Sequence, residues 1–202
     1  MYLKLKDYIG ELIQGFELIR EERKQVLQDV AKFISKELKE KDSVKLNFIC
    51  THNSRRSHLA QIWTQTAAAY YGIDGVETFS GGTEATELNP RAVAAVERAG
   101  FEVENPGGEN PRYEVKFSDD TEPMICYSKK FDDQVNPDRN FAAIMTCSDA
   151  DENCPFVPGT SFRKAVTYQD PKDSDGTDHE QKTYDERSRQ IATEMFYMMS
   201  RV

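Results

Sequence analysis

The feature that most constrains this chain is an abrupt change of pattern inside residues 45–63, KLNFICTHNSRRSHLAQIW. Residues 44–49, VKLNFI, read as a run of β-formers and a first strand, and the run closes on Cys50. A short polar loop follows, and from Arg56 to Tyr71 the pattern is helical, stopping before Gly72. The alternation then repeats. Residues 75–82, GVETFSGG, form a second expected strand running into a glycine turn. Residues 89–99 form a helix that begins Asn-Pro and stops at Gly100, an N-cap followed by proline and a C-terminal glycine. Residues 122–127 (EPMICY) and 141–146 (FAAIMT) supply a third and a fourth strand. A last helix covers residues 183–200, with Ile191, Met195, Met198 and Met199 on its core face. Strands alternating with helices imply parallel βαβ units, hence an α/β fold. In such a sheet, ligands bind beyond the carboxyl ends of the strands. Cys50 and the polar loop are expected there.

Two regions stand outside this alternation. Residues 3–41 are helical, with Leu12, Phe16, Ile19, Val26, Val30, Phe33 and Ile34 at helical spacing and a break near Gly15 or Arg20. Residues 1–42 therefore read as a helical extension that packs or dimerises, and residues 43–202 as the domain that carries the sheet. Residues 102–121 are rich in Asn, Pro, Gly and charge and read as a loop or small excursion, and residues 170–179 as a polar loop before the last helix.

Charge narrows the partners. The chain has 202 residues and a formal net charge of −9, which argues against general nucleic-acid binding. It has no polybasic tract for an anionic membrane and no apolar run of transmembrane length. The N-terminal residues carry charges at Lys4, Lys6, Asp7 and Glu11, unlike a signal peptide, so a cytoplasmic location is expected. Thiols stay reduced there, so Cys50, Cys126, Cys147 and Cys154 read as core, metal-binding or catalytic groups rather than structural disulfides. Cys126, inside an expected strand, reads as core. The Cys147–Cys154 spacing is wrong for a zinc knuckle and His52, His58 and His179 are not arranged as partners, so no metal and no cofactor are expected.

A strand, a tight loop and a helix N-terminus make an anion site, because backbone N–H groups point inward and the helix dipole adds positive charge. Residues Thr51, His52, Asn53, Ser54, Arg55, Arg56 and Ser57 form that loop, with Cys50 at its floor. The amides, the helix and Arg56 all favour a thiolate at Cys50. Arg56 offers a two-pronged donor to a tetrahedral oxyanion. Ser57 can hydrogen-bond the sulfur. Asn53 tolerates a left-handed backbone, and Asn53 and Ser80 can brace the loop. Arg55 either draws in the oxyanion or faces solvent.

The segment CTHNSRRS resembles the oxyanion loop of the low-molecular-weight protein tyrosine phosphatase superfamily, which includes thioredoxin-coupled arsenate reductases. The resemblance spans residues 45–202. It implies a three-layer fold with a four-stranded parallel sheet, to which the N-terminal helices are an addition. It also implies that Asp170, in the Asp-Pro pair of YQDPKD, is the general acid. MTCSDADENCP, residues 145–155, resembles the redox segment of the arsenate reductases, and Lys172 and Asp173 stand where the phosphatases usually carry tyrosines. The implied activity is reduction of arsenate to arsenite by a relay through Cys50, Cys147 and Cys154, reset by a thioredoxin-type dithiol; the alternative is hydrolysis of phosphotyrosine or small phosphate esters through a phosphocysteine. As helix, the Cys147–Cys154 span would be roughly 10 Å long, whereas a disulfide needs Cα atoms about 4.4–6.8 Å apart. The pair can therefore bridge only if residues 148–153 unwind. Two departures from the family are plain. His52 stands where glycine is common, a strained choice if its φ is positive. Gln61 replaces a glutamate that helps form a monovalent-cation site in some arsenate reductases, so potassium is not expected.

Overall fold

The structure, a computed structural model, describes residues 1–154 and 156–202. Its centre is a four-stranded, all-parallel sheet in the order β2-β1-β6-β7, built from β1 (Val44–Cys50), β2 (Val76–Gly82), β6 (Phe141–Met145) and β7 (Thr160–Ala165). A second, antiparallel sheet holds β3 (Glu102–Glu104), β4 (Tyr113–Lys116) and β5 (Met124–Cys126). The helices are α1 (Leu3–Gln14), α2 (Glu21–Lys41), α3 (Arg56–Tyr71), α4 (Pro90–Ala99), α5 (Ser148–Asn153) and α6 (Glu180–Met199).

The expected parallel α/β sheet is present, but two of its details differ from the reading above. The run at residues 122–127 does not join the main sheet; β5 pairs with β4, inside the region read as a loop. The fourth parallel strand is β7, whose polar sequence TSFRKA gave no strand signal; it is an edge strand and only partly buried. Residues 102–121 are more than an excursion, since Tyr113, Val115 and Phe117 are buried.

Side chains alternate between the faces of a strand, and this sorts the core. Leu46 and Phe48 of β1, with Ala142 and Ile144 of β6, belong to a large cluster shared with α1, α2, α3 and α6. Ile49, Ala143 and Met145, pointing the other way, form a smaller cluster with Cys50, Cys147, Ala150 and Val157. Cys147 and α5 thus cover the same sheet face on which Cys50 packs.

The N-terminal helices are part of the large core. Leu5, Ile9, Leu12, Leu27, Val30 and Ile34 are fully buried. Tyr8 stacks on Trp63 with ring centroids 5.7 Å apart, and Phe33 of α2 stacks on Phe162 of β7 at 4.6 Å. Most of their apolar stripe packs within the chain, while Leu3 and Leu18 stay exposed. The break falls where the sequence put it, with a 3-10 turn at Gly15–Leu18 between α1 and α2. Acidic Glu21 and Glu22 open α2 and basic Lys39 and Lys41 close it, matching the helix dipole. Among the described residues, no helix is long and apolar enough to cross a membrane.

Candidate active site

The loop that follows β1 is held by its carbonyls. Cys50 O accepts from Thr83 N at 3.1 Å, and Thr51 O from Glu84 N at 2.8 Å. His52 O accepts from Ser128 Oγ at 2.8 Å, and Ser54 O from Asn89 N at 2.9 Å. Each of these carbonyls is turned outward to a partner. Among the described residues, no acceptor takes the N–H groups of residues 51–57. Unpaired amides at a helix N-terminus are the physical definition of an anion cradle.

The fold makes this loop fit closely. A Cβ on Gly82 would lie 2.6 Å from Thr51 O and 2.7 Å from Asn53 N, so the end of β2 can approach the loop only as glycine. Asn53 carries the one left-handed backbone in the loop, φ 45°. His52 therefore escapes the strain that a positive φ would have imposed; it is exposed, with Nε2 3.6 Å from Glu84. Asn53, fully buried, donates from Nδ2 to Ser57 Oγ at 2.8 Å and accepts at Oδ1 from Lys129 N at 2.9 Å. Ser57 Oγ is 3.1 Å from Cys50 Sγ. The sulfur thus sits at the end of a hydrogen-bonded chain anchored in the segment after β5.

Ser80 braces the loop indirectly. Its Oγ meets His58 Nδ1 at 3.2 Å, on the first turn of α3. Burial, reinforced by the Lys129 ammonium, pushes His58 well below its usual range, so the imidazole is neutral.

The two arginines have different fates. Arg56, 8% exposed, donates from Nη1 to Tyr168 O at 3.1 Å and from Nη2 to Asp170 Oδ2 at 2.6 Å. Its Nε is buried with no partner among the described residues. Arg55 does not face solvent: its side chain is 11% exposed, with Nε 3.9 Å from Asp170 Oδ1. Its Nε donates to Tyr184 Oη at 2.7 Å and its Nη2 pairs with Asp175 at 3.3 Å. The Tyr184 phenol is raised to about 12, by burial and by its bond to Asp175.

Asp170 comes to the loop as expected. Its Oδ1 caps a 3-10 turn at Pro171–Ser174 by accepting from Lys172 N at 3.1 Å. Behind it, Arg23 of α2 donates to Thr167 O at 3.2 Å, lies over the Tyr168 ring at 4.8 Å and pairs with Glu194 at 2.7 Å. Nothing in the local sequence marks Arg23, Tyr168 O, Ser128 or Lys129 as supports, because each acts across a long sequence separation.

The four thiols differ in burial and position. Cys147 is fully buried and is the N-cap of α5, its Sγ accepting from Ala150 N at 3.4 Å. The same sulfur is 3.4 Å from Thr51 Oγ1, next in the chain after Cys50. Cys154 is half-buried at the other end of α5 and packs against the cluster that holds Cys50 and Cys147. Arg163 of β7 clamps that end, donating to Asp151 O at 2.8 Å and Cys154 O at 3.0 Å. Cys126 is buried in the small sheet, and burial pushes its thiol up to about 12. All four cysteines are free.

Comparison with known proteins agrees with this geometry. The family model for low molecular weight phosphotyrosine protein phosphatases matches residues 45–111. An arsenate reductase of Bacillus licheniformis is 30% identical over 142 residues, 70% of this chain and 84% of that protein. Arsenate reductase 2 of Staphylococcus epidermidis is 28% identical over 130 residues, 64% of this chain and 80% of its own. Among solved structures, a low molecular weight phosphotyrosine phosphatase of Vibrio cholerae superposes with a TM-score of 0.53 at 13% identity, covering 78% of this chain and 95% of that one. An arsenate reductase in the phosphate binding state gives 0.50 at 17% identity, covering 78% and 97%; at these identities the two structures speak for the fold alone. With a curated relative at this identity and coverage, the chain belongs to the low-molecular-weight protein tyrosine phosphatase superfamily, on its arsenate reductase branch.

Proposed function

We propose that this chain reduces arsenate to arsenite with three of its own thiols and is reset by a thioredoxin-type dithiol. The observation that carries the reading is the contact of Cys147 Sγ with Thr51 Oγ1 at 3.4 Å, which brings a second sulfur to the wall of the cradle whose floor is Cys50. A phosphatase has no use for it. Relatives named arsenate reductases, one of them 30% identical, support the same choice.

The chemistry follows from the residues. Arsenate is held by the free amides of residues 51–57 and by the unpaired Nε of Arg56. Its charge competes with Asp170 for the Arg56 fork. The Cys50 thiolate attacks arsenic and Asp170 protonates the departing oxygen, which leaves as water. Cys147 then attacks the Cys50 sulfur. The sulfur–arsenic electron pair stays on arsenic, which departs as arsenite, and a Cys50–Cys147 disulfide remains. Cys154 attacks Cys147, freeing the Cys50 thiolate and moving the disulfide to Cys147–Cys154. That last bond needs α5 to unwind, because a helix of this span holds its ends roughly 10 Å apart. Residues 43–202 carry the chemistry, residues 1–42 buttress it, and a reducing cytoplasm keeps the thiols free.

The test is mass spectrometry after one arsenate turnover without reductant. The expected products are a Cys147–Cys154 link in the wild type, a Cys50–Cys147 link in Cys154→Ser and none in Cys50→Ser. NADPH oxidation should depend on arsenate when thioredoxin and its reductase are supplied. Absence of any link in the wild type would overturn the relay. The matched family model favours a second reading, phosphate-ester hydrolysis through the same cradle, Cys50 and Asp170; that activity would survive Cys147→Ser with Cys154→Ser.

A further inference from the structure

A cleft of about 700 Å³ lies behind the oxyanion loop, away from the three relay thiols. One wall is α3 and the free edge of β2, including Gln61, Thr78 and Phe79. The other is the edge strand of the small sheet and its flanks, with Phe117, Met124 and Ile125. Ile125 and Val135 line it with 43% and 48% of their surface exposed, both large for apolar side chains. The middle of the cleft is apolar and open.

Four charged residues line the cleft, Asp74, Glu122, Arg112 and Lys129. The two cations sit together, both over the ring of Tyr127, at 4.5 and 4.7 Å from its centroid. Lys129 is only 6% exposed. Its ammonium meets one weak acceptor, Tyr127 O at 3.4 Å. Among the described residues, neither cation makes a salt bridge, and Asp133 attracts Lys129 only from beyond ion-pair distance. Burial accordingly pushes the lysine down from its usual range. A cation that is nine-tenths buried and lacks a carboxylate is costly to the fold. Such a group at the end of a ligand-sized apolar cleft marks a binding site whose missing partner is an anion.

We propose that this cleft binds a small organic anion, an acid group on an apolar or aromatic body, with the acid group on Lys129 and Arg112 and the body against Phe79, Met124, Ile125 and Val135. The site communicates with Cys50. The backbone N–H of Lys129 holds Asn53 Oδ1 at 2.9 Å, Asn53 Nδ2 holds Ser57 Oγ at 2.8 Å, and Ser57 Oγ is 3.1 Å from Cys50 Sγ. An anion that pulls on Lys129 therefore perturbs the nucleophile through three hydrogen bonds, without entering the cradle. This inference stands on the cleft and its cations and does not depend on which reaction Cys50 performs.

The test uses the full chain and the fluorescent aromatic sulfonate 1-anilinonaphthalene-8-sulfonate, with millimolar inorganic phosphate present to fill the cradle. Saturable binding at one site is expected. Arg112→Gln should weaken it about tenfold, as loss of one charge-assisted contact does. Ile125→Asp, at an exposed position, should abolish it. The uncharged body N-phenyl-1-naphthylamine should bind the wild type more weakly than the sulfonate, and should not distinguish wild type from Arg112→Gln. Measured without phosphate, which would shield the thiol, occupancy should change the rate of Cys50 alkylation by iodoacetamide about fivefold or more, the low end of ordinary coupling between sites. The proposal falls if no saturable binding occurs, if phosphate removes it, if both substitutions leave it unchanged, or if binding leaves Cys50 alkylation unaltered.

Discussion

Arg23→Met is the sharpest test of how the N-terminal helices serve the site. Arg23 sits on α2 and reaches across to Glu194 on α6 at 2.7 Å, with side-chain exposures of 19% and 7%. Removing one partner of a fully buried ion pair costs about 3–5 kcal/mol, because the other charge is left unpaired. Arg23 keeps some solvent, so about 2–3 kcal/mol is the appropriate share. The Thr167 carbonyl loses its donor, about 1 kcal/mol, and the contact over the Tyr168 ring adds about 0.5 kcal/mol. The expected loss is therefore about 3.5–4.5 kcal/mol, which for a chain of this size lowers Tm by roughly 7–18 °C.

Urea unfolding followed by circular dichroism measures this, with the double variant Arg23→Met, Glu194→Met alongside. The double variant should recover at least half the loss, since no buried carboxylate is then stranded. Turnover should fall in the single variant even well below its transition, because Thr167 precedes the Tyr168 carbonyl that holds Arg56 at 3.1 Å. A loss under about 1 kcal/mol, or a double variant as unstable as the single one, would refute the reasoning.

Two further outcomes are expected. His58 is held neutral by burial, so its folded pKa lies below the unfolded value of about 6.5. The unfolded chain then binds the extra proton as pH falls through about 6.5, and stability drops by up to about 1.4 kcal/mol per pH unit below it. His58→Gln should remove this slope from the urea midpoint between pH 7 and pH 5.5, and an unchanged slope would contradict the assignment. Arg163→Met frees the Asp151 and Cys154 carbonyls at the end of α5. It should speed formation of the Cys147–Cys154 disulfide under a mild oxidant several-fold, each 1.4 kcal/mol of helix-end support being a factor of about ten. A rate equal to that of the wild type would mean that α5 does not limit the step.

The legible parts of the chain were those governed by local rules. Residues 56–71 became α3 as read, because the helical pattern, the polar start and Gly72 all agreed. The Asn89 cap, Pro90 and Gly100 bounded α4 for the same reason. The cradle could be recognised from a strand ending in cysteine before a helix N-terminus, and Asn53 was singled out for the left-handed backbone it adopts. What escaped was decided by pairing. Residues 122–127 are apolar enough for either sheet, and only their partner β4 assigns them to the small one. β7 has an edge strand's polar sequence and pairs only on one side, so no periodicity announced it. The side-chain partners of Arg55 were out of reach, because Tyr184 and Asp175 lie 129 and 120 residues further on.

The grip of Ser128 and Lys129 on the loop has a kinetic meaning. Both bonds close a span of 76 residues, and through it the small sheet must already be formed before Asn53 finds its donor. Long closures of this kind come late, after local helices and neighbouring strand pairs. During refolding, the parallel sheet and its helices should therefore be assembled while the loop is still slack. Affinity for an oxyanion would then be the last property the chain acquires, and the first it surrenders when the small sheet frays.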